Sequence, residues 1–325
     1  MTEAIRVHEV GGPEQLRHES IEVPAPGAGE VLLRQTHIGV NYIDVYFRTG
    51  LYPAGSLPFT PGLEGAGEVI ATGEGVSTVG PGQRVAYAGG PLGAYAAERV
   101  MPADRLVPLP ESISNEQAAA IMLKGMTAHV LLQQVHAVRR GERVLIHAAA
   151  GGVGLLLCQW ARHLGATVIG TVGSPEKAEL ARANGCDHPV LYREENVQER
   201  VRALTGGEGV DVVYDSVGAD TLMVSLGCLA RRGMLVSFGQ SSGKPPAIEV
   251  GQLAAGGSLF LTRPSLFDYI ATVEELKSAA AAVFEVVRQG RLNVRIGQRL
   301  PLADAATAHR ALESRQSTGS TILTV

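Results

Sequence analysis

From about residue 141 the chain alternates short, largely apolar runs with longer stretches in which apolar residues recur every three or four positions. The apolar runs at 144–148, 167–172, 189–192, 210–215, 234–239 and 258–262 have strand length. Helical patterns separate them, as at 155–163, 175–183 and 196–204. Strands apolar on both faces, joined by helices, predict a doubly wound parallel sheet with right-handed crossovers. The N-terminal third differs, with frequent Gly and Pro, an alternating run at 31–35 and turn signals at 24–29 and 79–83. That pattern predicts a β-rich lobe. After Pro264 the strand–helix rhythm is lost: a helical pattern covers 269–289, a strand-like one 292–298, a second helix 302–313 and a last strand 321–325. The expectation is a return to the first lobe, so that the parallel-sheet domain is inserted in the chain and a cleft lies between lobes.

Residues 141–162, GERVLIHAAAGGVGLLLCQWAR, read as buried strand, glycine turn and helix in succession. Ala149, Gly151 and Gly154 take the three small-residue positions of a G-x-G-x-x-G fingerprint, with Ala149 in place of the first glycine. Bare backbone at Gly151 and Gly152 lets N–H groups approach a pyrophosphate, and Gly154 permits close helix-to-strand packing. An ordinary strand-to-helix turn is the other reading of these glycines alone. With the strand alternation around them, they point to a Rossmann dinucleotide site. An NAD site places a carboxylate at the end of the second strand, whereas here Val172, Gly173 and Ser174 stand there, with Lys177 one turn on. A hydroxyl, helix N–H groups and an ammonium suit a 2′-phosphate, which favours NADPH, although Lys177 also reads as a solvated helix lysine.

Composition changes this picture little. At 325 residues the chain accommodates two lobes, and a net charge of −4 offers no general attraction for nucleic acid or anionic membrane. No run reaches the roughly eighteen apolar residues needed to span a bilayer, and the start, MTEAIRVHEV, has no long apolar core behind positive charges. A cytoplasmic location is expected. The three cysteines, Cys158, Cys186 and Cys228, lack metal-ligand spacing, and none of the nine histidines forms an i, i+4 pair, so no metal site is expected.

Motifs along the whole length resemble a known family. They are GGPE at 11–14, GVNYIDVYFRTGLYP at 39–53, PGLEGAGEV at 61–69, LKGMTAHVLL at 123–132, DVVYDSVG at 211–218, SFGQSSG at 237–243 and TRPSL at 262–266. With 141–162 they resemble the zinc-independent quinone oxidoreductases of the medium-chain dehydrogenase/reductase superfamily, the group that includes zeta-crystallin. The resemblance implies a GroES-like catalytic domain at 1–124, a Rossmann NADP-binding domain at 125–264 and a catalytic return at 265–325. Where zinc-bearing relatives have a cysteine and a histidine ligand, this chain has Asn41 and Leu63. Without a Lewis acid, the easier reaction is hydride delivery to an electron-poor acceptor such as a quinone or activated alkene.

The resemblance also implies residue roles. Asn41, Tyr42, Ile43, Asp44, Val45 and Tyr46 would lie beside the nicotinamide and its ribose, flanked by Thr127 and Val130. Gly151, Gly152, Val153 and Gly154 would bind the pyrophosphate, and Gly173, Ser174, Lys177 and Tyr192 would surround the adenosine 2′-phosphate. Val217, Phe238, Gly239, Gln240, Ser241 and Ser242, with Pro264, Ser265 and Leu266, would close over the ribose and nicotinamide, with Arg263 near the cleft. Core packing is the other reading of Val217, Phe238 and Leu266. Tyr46 and Tyr52 are the candidate proton donors, although both also read as pocket lining. The expected reaction is NADPH-dependent quinone reduction. Reduction of α,β-unsaturated carbonyls is the enzymatic alternative, and an RNA-binding or crystallin-like role is disfavoured by the acidic balance. The apolar run SLFLT at 258–262 falls at the expected sheet edge and predicts a homodimer by strand pairing.

Overall fold

The computed structural model describes residues 1–325. Two compact units divide the chain, one comprising 1–126, 270–288 and 294–325, the other 127–269 and 289–293.

The first unit begins with an antiparallel pair, β1 (Thr2–Arg6) and β2 (Arg17–Ile21). It continues through β3 (Glu30–Val40), α1 (Tyr42–Arg48), β4 (Glu64–Thr72), β5 (Arg84–Ala88), β6 (Glu98–Pro102), β7 (Val107–Pro108) and most of α2 (Asn115–Val130). The second unit runs through β8 (Arg143–Ile146), α3 (Gly152–Leu164), β9 (Thr167–Val172), α4 (Pro175–Ala183), β10 (His188–Leu191) and α5 (Val197–Leu204). It then forms β11 (Val210–Asp215), α6 (Leu222–Cys228), β12 (Leu229–Ser237), α7 (Val250–Ala255), β13 (Phe260–Thr262) and α8 (Leu266–Tyr269). The chain finally returns to the first unit with α9 (Val273–Arg288), β14 (Ile296–Pro301), α10 (Ala305–Glu313) and β15 (Ser320–Thr324).

All six strands of the second unit are parallel, in the order β10-β9-β8-β11-β12-β13. This is the doubly wound Rossmann arrangement, whose order reverses between β8 and β11, where the carboxyl ends of the strands leave a crevice for a ligand. Leu145, Ile169, Val190, Val213 and Leu235 pack together with almost no exposure, which is why these runs carry no polar alternation. In the first unit a seven-stranded sheet is ordered β14-β15-β3-β4-β5-β7, with β6 also paired to β3. Strand β15 lies antiparallel to β3, so the final residues close the sheet begun near residue 30. Ile5, Val31, Leu33, Val69, Val85, Tyr95, Leu302 and Leu323 share its core.

Four expected boundaries shift, each for a local reason. The helix expected over 269–289 is broken before α9, because Thr272 and Glu275 form a reciprocal cap: Thr272 N–H donates to Glu275 Oε2 at 2.9 Å and Glu275 N–H to Thr272 Oγ1 at 3.2 Å. The strand expected over 292–298 starts only at Ile296, since Gln159 accepts from Asn293 N–H at 2.7 Å and donates to its carbonyl at 3.3 Å. The edge strand expected over 258–262 is confined to Phe260–Thr262, because Ser258 takes a left-handed conformation at φ +61°. The helix expected over 302–313 begins as a 3-10 turn at Leu302–Asp304.

Candidate functional site

The second unit builds its candidate site mainly from backbone. Strand β8 ends at Ile146, Ala148 adopts φ +52°, and Gly151 is the N-cap of α3 with no side chain capping the helix. The first-turn N–H groups are therefore left without a side-chain acceptor, the condition in which a helix start can receive an anion. A Cβ on Gly154 would stand 2.9 Å from the Ala149 backbone and overlap the Ala148 carbonyl oxygen, so α3 can approach β8 this closely only with glycine there. Behind the loop lies a buried polar chain. Thr171 Oγ1 accepts from Ala148 N–H at 3.3 Å and pairs with His147 Nδ1 at 3.0 Å, and His147 Nε2 pairs with Ser225 Oγ at 3.0 Å. Ser225 donates to Asp215 Oδ2 at 2.8 Å, so His147 Nε2 carries the imidazole hydrogen and its Nδ1 accepts from Thr171. Burial lowers the His147 pKa, with Asp215 opposing, which suits this neutral form.

At the end of β9, Ser174 caps α4, accepting from Lys177 N–H at 3.4 Å. A Cβ on Gly173 would stand 2.9 Å from the Tyr192 hydroxyl, so the backbone lies directly against this phenol. The Arg193 guanidinium sits 6.0 Å from the Tyr192 ring centre. Burial lowers the Lys177 pKa, Tyr192 raises it and Arg193 lowers it further, marking Lys177 and Arg193 as neighbouring cations. Arg193 escaped the sequence reading because it follows the strand at an ordinary turn position. Val172, Gly173 and Ser174 hold the strand end without a carboxylate, and Glu176, in the first turn of α4, is hydrogen-bonded to Ser174, which lowers its pKa.

The loops after β11 and β12 are tied together. Asp215 Oδ1 accepts from Val217 N–H at 2.8 Å, Gly218 N–H at 3.1 Å and Thr221 Oγ1 at 2.8 Å. Phe238 N–H donates to the Asp215 carbonyl at 2.9 Å, Ser241 N–H to that of Ser216 at 3.2 Å, and Ser242 N–H to that of Val217 at 2.8 Å. This brings Val217 and Phe238, Gly239, Gln240, Ser241 and Ser242 together at the carboxyl edge of the sheet. Arg263, just past β13, folds back on the same loop, donating to the carbonyls of Ser237 at 3.0 Å and Gly239 at 2.9 Å, while Pro264, Ser265 and Leu266 lead into α8. Thr127 and buried Val130 lie on the last turns of α2.

The first unit builds with side chains instead. Tyr46 and Tyr52 meet at 5.1 Å between ring centres, Tyr42 lies tilted against Tyr46 at 5.5 Å, and Phe47 packs on Tyr52 at 5.9 Å. Burial raises the Tyr42 pKa. Beneath this aromatic layer Asn41 caps α1, and its N–H donates to Asp44 Oδ2 at 2.9 Å. The Tyr95 hydroxyl donates to the same oxygen at 2.9 Å and meets His309 Nε2 at 3.0 Å. His309 Nδ1 accepts from Arg48 at 3.2 Å, and Arg48 forms a two-pronged pair with Glu313 at 3.0 and 2.7 Å. Because Arg48 can only donate, the hydrogens along Arg48, His309, Tyr95 and Asp44 all point toward Asp44. Burial and Arg48 drop the His309 pKa to about 3, so it stays neutral. Burial pushes Asp44 up to about 7; the Asn41 N–H, the Tyr95 hydroxyl and Lys124 pull it down, and Glu64 adds to the rise. Asp44 Oδ1 is buried without a hydrogen-bond partner.

A second carboxylate, Glu64, is also fully buried. Its Oε2 accepts from Asn41 Nδ2 at 2.8 Å and from Lys124 Nζ at 3.2 Å, and its Oε1 from Leu123 N–H at 2.7 Å. No group of three or more His, Cys, Asp or Glu is placed to hold a metal ion. The sequence reading missed Glu64, Tyr95, Lys124 and His309 as site-forming residues, since the partners that join them lie far away in the chain.

Residues 27–111 match the alcohol dehydrogenase GroES-like domain family, and residues 152–285 the zinc-binding dehydrogenase family. The chain is 50% identical over 323 residues to a quinone oxidoreductase of Pseudomonas aeruginosa, covering 99% of each. It is 46% identical over 329 residues to a 2-haloacrylate reductase of a Burkholderia species, again covering 99% of each. The crystal structure of an Escherichia coli quinone oxidoreductase complexed with NADPH superposes with a TM-score of 0.97 at 46% identity, covering 99% of this chain and 100% of that one.

Proposed function

The chain belongs to the quinone oxidoreductase family of the medium-chain dehydrogenases/reductases, and from that premise we propose that it reduces quinones with NADPH, with no zinc in the reaction. The observation carrying this reading is the uncapped, glycine-opened start of α3 together with the Lys177 and Arg193 cations at the adjoining strand ends. These residues fit the cofactor: bare backbone and N–H groups for a pyrophosphate, two cations for a 2′-phosphate.

When bound, NADPH supplies a hydride. In this reading Gly151, Gly152, Val153 and Gly154 bind the pyrophosphate, and Gly173, Ser174, Lys177, Tyr192 and Arg193 hold the 2′-phosphate, with Glu176 confined by its bond to Ser174. Thr127, Val130, Val217, the 238–242 loop and 263–266 serve the ribose and nicotinamide, as do Asn41, Tyr42, Ile43, Asp44, Val45 and Tyr46 of the first unit. Tyr46 and Tyr52, held edge-on by each other, hold the proton that the reduced acceptor takes up. A phenol of pKa about 10 donates only when held against a developing anion, so the fixed ring geometry is what qualifies them.

The reading includes a homodimer and work in the cytoplasm. No helix is long and apolar enough to cross a membrane. Strand β13 ends its sheet with Phe260 54% and Leu261 40% exposed, an apolar edge that self-pairing would cover. Light scattering at micromolar concentration gives twice the chain mass if this holds, and the chain mass if it does not.

The 46% identity to a 2-haloacrylate reductase favours one second reading, reduction of α,β-unsaturated acceptors with the same residues. The deciding experiment is steady-state consumption of NADPH and NADH with a para-quinone and, in parallel, an α,β-unsaturated ketone. Turnover with quinone and preference for NADPH are expected. Turnover with the ketone alone moves the assignment to the second reading, and no consumption with either overturns both.

A further inference from the structure

The first unit buries an ammonium and two carboxylates within one small cluster: Lys124 is 6% exposed, Glu64 and Asp44 are 0%. Removing three ionisable groups from water costs several kcal/mol for each charged one, and apolar residues of the same volume commonly do as well or better for stability. A stable fold alone therefore gives no reason for the arrangement. Its geometry does. Lys124 Nζ and Asn41 Nδ2 share one oxygen, Glu64 Oε2, at 3.2 and 2.8 Å, so the ammonium and the carboxamide are held against a common acceptor. Room for that carboxylate is made by Gly39, where any Cβ would overlap both Glu64 and the Ala119 carbonyl oxygen. Asn41 opens helix α1, which carries Tyr42 and Tyr46, and its own N–H binds Asp44. Three elements, β4, α2 and the β3–α1 junction, thus converge on one ion pair.

We propose that Lys124 is a positioning residue for the reaction, its buried ammonium fixing Glu64 and, through Glu64, the Asn41 carboxamide and the start of the tyrosine-bearing helix α1. The inference rests on the functional reading above, in which Asn41 and the residues after it serve the nicotinamide. The cation is the partner for which both Glu64 and its glycine-made recess are arranged, and Lys124 is the only cation within reach of Glu64 among its hydrogen-bond partners. Loss of the ammonium leaves Glu64 held only by Leu123 N–H and the Asn41 carboxamide, so the carboxylate end facing Asn41 loses its second anchor and the carboxamide and the start of α1 move with it. The consequence is a fall in kcat, with affinity for the 2′-phosphate end of NADPH preserved in the second unit.

The experiment compares the full-length wild type with Lys124→Met and with the double variant Glu64→Gln, Lys124→Met, which removes both charges and keeps one side-chain oxygen, the acceptor for Leu123 N–H, while an amide NH2 takes the place of the oxygen facing Asn41. Measured for each are the thermal midpoint, the NADPH dissociation constant by nucleotide fluorescence, and kcat and KM with a para-quinone. The single variant is expected to lose stability, because it leaves Glu64 buried without its counter-charge. The double variant is expected to regain the wild-type midpoint while kcat stays down by about tenfold or more and the NADPH dissociation constant moves less than about threefold. Recovery of wild-type kcat in the double variant overturns the inference, because the pair would then be merely structural. A wild type that consumes no NADPH with quinone or enone overturns the functional reading itself, an outcome separate from any difference among the variants.

Discussion

The two units solve the problem of making a site in opposite ways. In the second, the candidate dinucleotide site is backbone: Gly151 as an uncapped N-cap, Gly154 without room for a side chain, and loops at 215–218 and 238–242 joined by main-chain bonds. Its residues are close neighbours in sequence. In the first, the site is side chains gathered from Asn41, Asp44, Glu64, Tyr95, Lys124 and His309, joined, apart from the local bond of Asn41 N–H to Asp44, by bonds between distant parts of the chain. Backbone sites rest on the space that glycine leaves, whereas side-chain sites rest on complete hydrogen-bond satisfaction in a place without water. The two kinds therefore fail differently when altered.

The largest expected effect is in the backbone site. Gly154→Val drives a side chain into the Ala148 carbonyl and the Ala149 backbone, so NADPH fluorescence titration should show binding weakened by about a hundredfold or more, with about 1–3 kcal/mol lost in stability. Retained binding would show that the loop yields and that the comparison is overdrawn. Next comes Tyr52→Phe, which leaves the ring contacts with Tyr46 and Phe47 but removes the hydroxyl; kcat should fall by about 10²-fold with NADPH affinity unchanged. Unaltered turnover dismisses Tyr52 as the donor. Lys177→Ala should lower kcat/KM for NADPH by about tenfold and leave NADH alone, since Arg193 remains beside Tyr192. Equal loss with both cofactors would sever Lys177 from the 2′-phosphate.

The smallest effect probes the side-chain site by pH. Asp44 has a folded pKa of about 7, above the ordinary carboxylate value of about 3.9, so the folded state holds its proton more tightly than the unfolded state does. Its favourable contribution is complete below about pH 4 and is lost as pH rises through about 7. The wild-type melting temperature should fall across that window relative to Asp44→Asn, whose amide keeps an acceptor for Asn41 N–H and Tyr95. Parallel curves would mean that Asp44 titrates as an ordinary carboxylate.

The same contrast governs what could be read from the chain. The parallel strands were legible because each is an apolar run bounded by turns, and the glycine loop because its chemistry is local. Boundaries slipped where one residue overrode the pattern, as Ser258 does at φ +61° and Gln159 does by seizing the Asn293 backbone. The cluster around Glu64 was illegible for a deeper reason. A lone Lys124 in an apolar helix and a lone Glu64 in a glycine-rich strand each look like surface positions until folding joins them across 60 residues. Lys177 was visible because it stands one turn past the strand end in sequence, and Arg193 was not because it follows its strand at an ordinary turn position.

Strand β15, which lies between β14 and β3 in the first unit's sheet, bears on how the molecule is made. A chain emerging from the ribosome presents residues 1–126 long before Ser320–Thr324 exist, so the His37–Val40 end of β3 lacks its β15 partner while the whole parallel sheet is synthesised and able to close. A chain truncated before residue 320 would keep a plausible nucleotide-binding half attached to an unfinished partner, and the unpaired His37–Val40 end of β3 would be a site for aggregation.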